Sequence, residues 1–252
     1  MGRIVAVLNQ KGGVGKTTVT LGLASAAQVA GQRVLVVDLD PQGSSTWVLG
    51  HDPREVELSV VDVFAKTAAD KVILHSDWGD NVSVLPSSPS LLAKDHGGHP
   101  NRLRKALHEV VDQYDVILID CPPSLGSLTT AGRTAADHAI IVVEPSELSL
   151  RGVSAVADLV DEVWDAHNPE LDLAGVIVNR VPPVSAEADR RYDELTRTVG
   201  KKAVWQPVIP QRVIVNQALG ERTPIHGYGA RSADVSEVFD KLWARLRKTI
   251  NG

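Results

Sequence analysis

Glycine, lysine and threonine recur near the start of the chain at spacings suited to phosphate chemistry. Residues 9–18 read NQKGGVGKTT and follow the apolar run Ile4–Leu8. Glycines let successive backbone N–H groups curl around an anion, and the N-terminus of a following helix adds positive potential. In such a loop Lys16 bridges the β- and γ-phosphates of a nucleotide, and the Thr17 hydroxyl ligates magnesium. The general G-x-x-x-x-G-K-[ST] pattern is not fully met, because Gln10 occupies its first position.

Two other apolar runs of the sequence end in carboxylates. Residues 36–43 read VVDLDPQG, and alternation along a strand places Asp38 and Asp40 on the same side. The run Val116–Ile119 leads directly into Asp120. Because ligands of open α/β sheets bind at the carboxyl ends of the strands, these three carboxylates are expected at the phosphate crevice. Their spacing and the Gln-Gly that follows weigh against ordinary turn residues before a proline.

Alternating strand and helix patterns predict the elements that must hold these residues in place. Six strands are expected from short β-branched runs, at Ile4–Leu8, Val34–Val37, Val82–Leu85, Val116–Ile119, Ala139–Val143 and Leu173–Val178. Helices are expected at Thr17–Ala30, Asn101–Gln113, Ser149–Ala166 and Ala186–Val199. The strand runs lack polar alternation, so both faces of the sheet should be buried. This order predicts an α/β fold with a doubly wound, mostly parallel sheet flanked by helices.

Nothing in the sequence marks a domain boundary, so residues 1–252 are interpreted as a single domain. Segment Gly43–Asp80 has the least regular pattern, and His96–Pro100 is typical of a surface loop. The single cysteine, Cys121, excludes an intrachain disulfide and any site with two cysteine ligands, which indicates a reducing compartment. Cys121 is interpreted as a packed residue and not a nucleophile, because no histidine lies close to it in sequence. No apolar run approaches the length of about 18 residues typical of a membrane helix.

The charge of the chain is distributed unevenly. The formal net charge is −5, which on average argues against a bulk nucleic-acid binder. Residues 180–252 carry 13 lysines and arginines against 8 aspartates and glutamates, whereas residues 1–179 carry 13 against 23. A basic C-terminal third on an acidic body indicates a surface that faces a polyanion. Scattered solvated charge is the alternative interpretation, and the charge balance leaves both open.

Residues 11–18, KGGVGKTT, resemble the deviant Walker A motif of the ParA/MinD family of P-loop ATPases, most closely the ParA/Soj partition type. The resemblance implies that ATP is bound by the whole loop, made of Lys11, Gly12, Gly13, Val14, Gly15, Lys16, Thr17 and Thr18. It also implies that Lys11 reaches across a homodimer that sandwiches ATP, to the phosphates held by the partner subunit.

The acidic segments resemble the switches of the same family. In the D-x-D-P-Q-G segment, Asp40 is implied to position and polarise the attacking water, and Asp38 to support the shell of Mg²⁺. Asp120 resembles the Walker B carboxylate, which holds Mg²⁺ together with Thr17. These assignments come from the resemblance and give the site both of its expected cofactors, ATP and Mg²⁺.

The later part of the chain resembles the family less densely. Asn179, with Arg180 beside it, is implied to read adenine, because an amide can pair with both donor and acceptor atoms of the base. Pro210 resembles the proline segment that closes over the adenine. A strand-ending turn at Asn179 and an ordinary loop proline at 210 stay open as alternatives. The stretch Glu144–Gly152 also follows the family pattern between a core strand and a helix.

The family resemblance implies a partition or positioning switch more than a metabolic enzyme. Hydrolysis is expected to be slow, because no general-base histidine is apparent, until a ParB-like or cargo-adaptor partner accelerates it. The ATP state is expected to bind DNA non-specifically, in a cytoplasmic, nucleoid-associated protein. Candidate DNA contacts are basic residues of the C-terminal third: Arg190, Arg191, Arg197, Lys201, Lys202, Arg212, Arg222 and Arg231. Ile214 stands where close relatives carry a basic residue, and cargo stays open among chromosome, plasmid, chemoreceptor array and microcompartment.

The sequence also bears on the other functions found in this family. A MinD-like membrane anchor would need the amphipathic tail Asp234–Ile250, whose apolar stripe is expected to pack on the body instead. Small-molecule ATP-dependent ligases generally lack a lysine at the place of Lys11, and iron–sulfur relatives need at least two cysteines. A partition ATPase is therefore the leading hypothesis, a membrane-associated positioning ATPase the second, and a ligase the third.

Overall fold

A computed structural model describes residues 2–92, 100–123, 126–145, 158 and 168–251. Within them the strands are β1 (Arg3–Leu8), β2 (Val34–Asp38), β3 (Leu74–His75), β4 (Val82–Leu85), β5 (Val116–Asp120), β6 (His138–Val143) and β7 (Asp172–Val178). They form one sheet in the order β3-β4-β2-β5-β1-β6-β7. Only the edge strand β3 runs antiparallel, so the expected mostly parallel sheet is confirmed.

Every strand expected from the sequence forms, with each end within one residue of its expected position. The central strands β2 and β5 are buried along their whole length, as runs without polar alternation predict. Strand β3 was not expected. It has only two residues, neither of them buried, so its sequence carries no recognisable strand pattern.

Eight α-helices lie among the described residues. They are α1 (Lys16–Val29), α2 (Ser44–Val48), α3 (Val60–Phe64), α4 (Asn101–His108), α5 (Ser127–Ala135), α6 (Ala186–Val199), α7 (Val213–Gly220) and α8 (Ala233–Asn251). Short 3-10 turns cover Ala69–Lys71, Pro89–Leu92, Val111–Gln113 and Ile225–Arg231. The irregular segment 43–80 therefore holds two short helices, two residues of strand and one 3-10 turn.

The helix expectations are met in part. Helix α1 lies one residue earlier than expected, and α6 has the expected bounds. The helix expected at 101–113 ends at His108, because the next hydrogen bonds join residues three apart, as in Gln113 N–H to Val110 O at 3.0 Å. Apart from residue 158, the expected helix 149–166 lies outside the described residues, as does nearly all of the expected loop 96–100.

The C-terminal helix α8 packs on α1, the helix that follows the glycine-rich loop. Of the five residues of the expected apolar stripe, Val235, Phe239, Leu242 and Leu246 are buried, and Val238 is half-buried against the same core. The Phe239 ring fills the space where a side chain at Gly22 of α1 would stand. The expected packing of this stripe on the body is thus found.

Polar contacts add to the junction between α1 and α8. Ser25 of α1 is fully buried, and its Oγ lies 2.6 Å from Nδ1 of His226. Nε2 of the same imidazole lies 3.1 Å from Oδ1 of Asp240 on α8. At the far end, Arg3 Nε donates to the Ile250 carbonyl at 3.0 Å. Among the described residues, we find no helix whose length and apolar character would let it cross a membrane.

Candidate active site

The glycine-rich loop joins β1 to α1 at the carboxyl edge of the sheet. Strand β1 lies between β5 and β6, so the loop has neighbours on both sides. Gly13 and Gly15 have φ angles of 89° and 88°, in the left-handed region that costs other residues energy. Gly15 immediately precedes α1, so the N-terminal N–H groups of that helix face the loop. This is the geometry of an anion-binding helix N-terminus.

Lysine and asparagine side chains hold the loop in this shape. Lys16 is buried, and its Nζ donates to the Lys11 carbonyl at 3.2 Å, so the ammonium lies inside the loop. Asn9 donates through Nδ2 to the Val142 carbonyl of β6 at 2.6 Å. Its Oδ1 accepts from the Lys11 N–H at 2.9 Å. Asn9 was not singled out from the sequence, because nothing in its type or spacing distinguishes it from a turn residue.

Asp120 forms a corner of oxygen atoms beside the loop. Its Oδ2 accepts from Thr17 Oγ1 at 2.7 Å and from Ser45 Oγ at 2.8 Å. Its Oδ1 is buried and has no hydrogen-bond partner among the described residues. A hard divalent cation prefers such hydroxyl and carboxylate oxygens, so the corner fits Mg²⁺. The structure thus brings together Thr17 and Asp120, which the sequence had assigned to the metal.

Asp38 is the direct neighbour of Asp120 in the sheet, since the two residues pair in register between β2 and β5. Burial, reinforced by the charge of Asp120, raises the pKa of Asp38. Burial also raises the pKa of Asp120, against the opposing effect of hydrogen bonds from Thr17 and Ser45. Burial disfavours the ionised forms of both carboxyl groups. A nearby cation would stabilise these ionised forms.

No cluster of three His, Cys, Asp or Glu side chains that could hold a metal by itself occurs in the described part of the chain. Thr17 and Asp120 would therefore supply only part of the coordination of Mg²⁺, and oxygens of the nucleotide and of water would supply the rest. This division is usual for Mg²⁺ sites that also bind phosphates.

Asp40 lies beyond the strand that carries Asp38. Strand β2 ends at Asp38, and Asp40 opens a turn closed by the Gly43 N–H at 2.8 Å, so strand alternation does not determine its position. Asp40 is half-buried, and its Oδ1 accepts from the Gln42 N–H at 2.9 Å. Its own N–H donates to Asp38 Oδ1 at 3.1 Å. The two carboxylates therefore differ in burial, with Asp38 inside the fold and Asp40 at the site surface.

Asn179, Arg180 and Pro210 line one side of a second part of the crevice. Asn179 is buried, and its Nδ2 donates to the Val14 carbonyl of the loop at 2.8 Å. The three residues share a cavity of about 240 Å³ that also reaches Thr18 at the start of α1. Sequence positions 18, 179, 180 and 210 are thus joined in one pocket.

Arg180 connects this pocket to the loop. Its Nη1 donates to the Gly13 carbonyl at 2.5 Å and to Glu144 Oε1 at 2.8 Å. A larger cavity of about 660 Å³ runs from Thr17 past Arg180 to Trp47 of α2 and to Leu92. Glu144 belongs to the stretch 144–152 that resembled the family pattern, but residues 146–152 lie outside the described part of the chain.

The basic residues proposed for DNA binding fall into separate groups. Arg191 on α6 forms ion pairs with Glu187 and Glu194 at 2.9 and 3.0 Å, and Arg190 also pairs with Glu187. Lys201 and Lys202 are exposed in the turn that follows α6. This end of α6 therefore offers exposed positive charge, whereas the charge of its first turns is balanced by carboxylates.

The other candidates lie elsewhere on the molecule. Arg212 pairs with Asp234 at 2.9 Å, and the Arg222 guanidinium stacks over Trp47 with 4.4 Å to the ring centroid. Arg231 lies 5.7 Å from the Tyr228 ring, and Arg197 is exposed on α6. Ile214, where the family resemblance led us to expect a basic residue, is 9% exposed and faces inward.

The sequence matches the family profile described as "AAA domain" over residues 2–173. It is 35% identical over 245 residues to the sporulation initiation inhibitor protein Soj of Bacillus subtilis, covering 95% of this chain and 96% of Soj. Among solved structures it resembles cobyrinic acid a,c-diamide synthase of Mycobacterium smegmatis with bound ADP and magnesium. That likeness has a TM-score of 0.82 at 30% identity and covers 98% of this chain and 96% of the other.

The cell division ATPase MinD of Pyrococcus furiosus has the same fold, with a TM-score of 0.80 over 98% of this chain and 99% of MinD. Its sequence is 24% identical, so this likeness concerns the fold alone. The site described above lies mostly within residues 2–173 of the matched profile, and Asn179, Arg180 and Pro210 lie beyond it.

Proposed function

The chain belongs to the ParA/MinD family of P-loop ATPases, and on this premise we propose that it is a ParA-type partition or positioning ATPase that acts as an ATP-dependent DNA-binding dimer. It hydrolyses ATP, and its cofactors are ATP and Mg²⁺. The observation that carries the proposal is the second loop lysine, Lys11, exposed beside a loop that already holds Lys16. One lysine suffices for the phosphates of its own subunit, so a second one suits the nucleotide of a partner subunit.

We assign the steps of hydrolysis to the residues of this edge of the sheet. The glycine-rich loop, Gly12 to Thr18, binds the phosphates through its N–H groups and the Lys16 ammonium. Thr17, Asp38 and Asp120 would surround Mg²⁺, which would supply positive charge against the phosphate oxygens. Asp40, at the site surface, orients the attacking water. Phosphoryl transfer needs positioning and charge stabilisation more than covalent chemistry, and this set supplies both.

Asn179, Arg180 and Pro210 would hold the other end of the nucleotide. The amide of Asn179 is fixed in orientation by its bond to Val14, so it presents a defined face to an adenine in the pocket. We also treat residues 1–252 as one ATPase domain, because α8 packs on α1 and Arg3 bonds to Ile250.

Two substitutions test the ATPase assignment. Lys16→Ala should abolish nucleotide binding in isothermal titration calorimetry, and an unchanged ATP affinity would remove the loop from the mechanism. Asp40→Ala should bind ATP, stop turnover and accumulate as an ATP-bound dimer in size-exclusion chromatography. Continued turnover by this variant would exclude Asp40 from positioning the water.

Non-specific DNA binding is proposed for the exposed turn after α6. Lysines that neutralise phosphates give binding that weakens steeply with salt, without base readout. In the ATP state we expect co-sedimentation with DNA of any sequence, and a Lys201→Ala/Lys202→Ala variant should weaken it and lower the salt slope by about 0.9 for each phosphate that is no longer neutralised. Lys71→Ala is the control, because Lys71 is exposed and lies outside the basic C-terminal third. Binding that ignores salt or nucleotide would contradict the proposal.

Such a protein would be nucleoid-associated and would need an activator. No histidine is among the described residues that line the two cavities of the site, so basal hydrolysis is expected to be slow. A ParB-like or cargo-adaptor protein would accelerate it and release the dimer from DNA. Titrating a ParB-like protein encoded by a neighbouring gene into a phosphate-release assay with DNA tests this step. The absence of any acceleration would argue for another class of activator.

A small-molecule ligase is a second candidate, because the Mycobacterium smegmatis structure at 30% identity is described as a cobyrinic acid a,c-diamide synthase. Lys11 and the Asp38-x-Asp40-Pro41-Gln42 segment argue for the partition function instead. Incubation with ATP, Mg²⁺, glutamine and cobyrinic acid separates the two functions. We expect no amide product by mass spectrometry, and ATP-dependent diamide formation would establish the ligase.

A MinD-like membrane role is third. The apolar stripe of α8 is already buried against α1, which leaves mainly charged residues such as Lys241 and Arg247 on its exposed side. Flotation with anionic liposomes should therefore leave the protein unbound with or without ATP. Nucleotide-dependent flotation would favour the membrane role.

A further inference from the structure

Ser87 lies two residues after β4 and belongs to none of the motifs recognised in the sequence. It contacts the segment that contains Asp40. It is fully buried, and its Oγ donates to the Asp40 carbonyl at 2.7 Å. Its N–H donates to Thr46 Oγ1 at 2.9 Å. A single residue therefore holds two points of the segment that leads from β2 into α2.

Thr46 connects Ser87 to Asp38 through hydrogen bonds. Its backbone N–H and its hydroxyl both donate to Asp38 Oδ2, each at 2.8 Å. The hydroxyl has one proton, which goes to the carboxylate, and its lone pair accepts from the Ser87 N–H. The second carboxylate oxygen, Asp38 Oδ1, accepts from the Asp40 N–H. The Asp40 peptide is thus fixed on its N–H side by Asp38 and on its carbonyl side by Ser87.

We propose that Ser87 is a positioning residue for ATP hydrolysis, which sets the place of Asp40 and does not itself touch the nucleotide. The proposal rests on the role proposed above for Asp40. Ser87 directs its hydroxyl and its N–H to Asp40 and Thr46, and neither group bonds to the phosphate loop. Loss of the Ser87 hydroxyl should therefore disturb the orientation of the water and leave the binding of ATP phosphates unchanged.

A matched control exists in Ser76. It is also buried, and its Oγ also donates to a backbone carbonyl, that of Leu49, at 3.0 Å. Its Oγ also accepts from the Trp78 N–H at 3.1 Å, so its bonds go to Leu49 and Trp78 and not to Asp40. Ser76→Ala and Ser87→Ala both remove a hydroxyl bond to a backbone carbonyl, and Ser76→Ala also removes the acceptor of the Trp78 N–H. Only Ser87→Ala removes a bond to the Asp40 segment.

The test measures single-turnover phosphate release, ATP affinity and urea unfolding for both variants. We expect Ser87→Ala to lower the rate of hydrolysis about tenfold, the effect of one hydrogen bond on a barrier, with ATP affinity within about twofold. Ser76→Ala should keep the wild-type rate at a comparable loss of stability. Equal rates for the two variants, or an effect of Ser87→Ala confined to ATP affinity, would overturn the proposal.

Two further variants keep the outcome decisive. Ser87→Cys is nearly isosteric and a weaker donor, so its rate should lie between those of wild type and Ser87→Ala; a wild-type rate would count against the proposal even if the alanine variant did not fold. Asp40→Ala should stop turnover, as the role proposed for Asp40 requires. If Asp40→Ala still hydrolyses ATP, the role of Asp40 itself fails. If Asp40→Ala stops turnover but Ser87→Ala hydrolyses ATP at the wild-type rate, Ser87 is excluded as a positioning residue and the role of Asp40 stands.

Discussion

Two glycines of the glycine-rich loop have a left-handed backbone, and we expect their substitution by alanine to affect base recognition differently. Gly13 and Gly15 have nearly the same φ, 89° and 88°. A Cβ added to Gly13 meets nothing within 4 Å, whereas a Cβ added to Gly15 would collide with the Asn179 amide nitrogen. Gly13→Ala therefore strains the loop alone, and Gly15→Ala must also displace the side chain that we assign to adenine.

The magnitudes follow from these contacts. A left-handed conformation costs an alanine roughly 1–2 kcal/mol, and this term is shared by the two variants. Displacing Asn179 breaks its bond to the Val14 carbonyl and leaves buried polar groups unpaired, at about 1–3 kcal/mol. Gly15→Ala should therefore lower the free energy of unfolding by about 1–3 kcal/mol more than Gly13→Ala, and it should also lose ATP affinity through the base, because Asn179 no longer faces the pocket. A loss through the phosphates alone would affect ATP and GTP equally.

Calorimetric titration with ATP and with GTP separates the two effects. Gly13→Ala should weaken both nucleotides and keep their affinity ratio within about twofold of wild type. Gly15→Ala should lower the preference for ATP over GTP and match Asn179→Ala, the positive control. The reasoning is refuted if Gly15→Ala keeps the wild-type ratio while Asn179→Ala loses it. If Asn179→Ala also keeps the ratio, Asn179 does not read the base.

Three further predictions concern stability. Phe239→Ala should lower the free energy of unfolding by about 3–5 kcal/mol in urea titrations, because it leaves a cavity at the contact with α1. Lys241→Ala, at an exposed position, is the control. A loss below about 1 kcal/mol for Phe239→Ala would contradict this packing. Burial lowers the pKa of His138 below its ordinary value of 6.5, so the unfolded chain binds more protons and stability should fall as pH drops below 6.5. His138→Gln should flatten that pH dependence in thermal melts and His108→Gln, at an exposed position, should not; equal slopes would remove His138 as the cause. Thr46→Val should cost about 2–4 kcal/mol in the same urea titrations, since it strips a bond from buried Asp38 and leaves a buried N–H unpaired; a neutral result would contradict the network.

Sequence patterns located the strands closely because strands buried on both faces leave continuous β-branched runs. They also located Thr17 and Asp120, since both follow directly from strand–loop–helix order at one edge of the sheet. The position of Asp40 did not follow from alternation, because the strand ends at Asp38 and a turn takes over. A period-two pattern holds only as far as the strand extends.

Residues that act through hydrogen bonds to backbone could not be found in this way. Ser45, Thr46 and Ser87 are small polar residues in segments without a regular pattern, and their partners are up to 75 positions away. Arg222 shows a second limit of sequence patterns. Its charge predicts a DNA contact, which stays a prediction, but a charge count could not predict that its guanidinium stacks on the Trp47 ring.

The junction between α1 and α8 bears on how this protein can be dissected experimentally. The helix that starts in the phosphate loop carries Gly22 under the Phe239 ring and Ser25 against His226. A deletion of α8 would uncover this face, and solvent would reach the helix whose first turn we assign to phosphate binding. Truncated chains would then fail in every assay at once, whatever the helix does in the intact protein. Charge reversals on its exposed side, at Lys241 and Arg247, isolate a surface role without disturbing the nucleotide site.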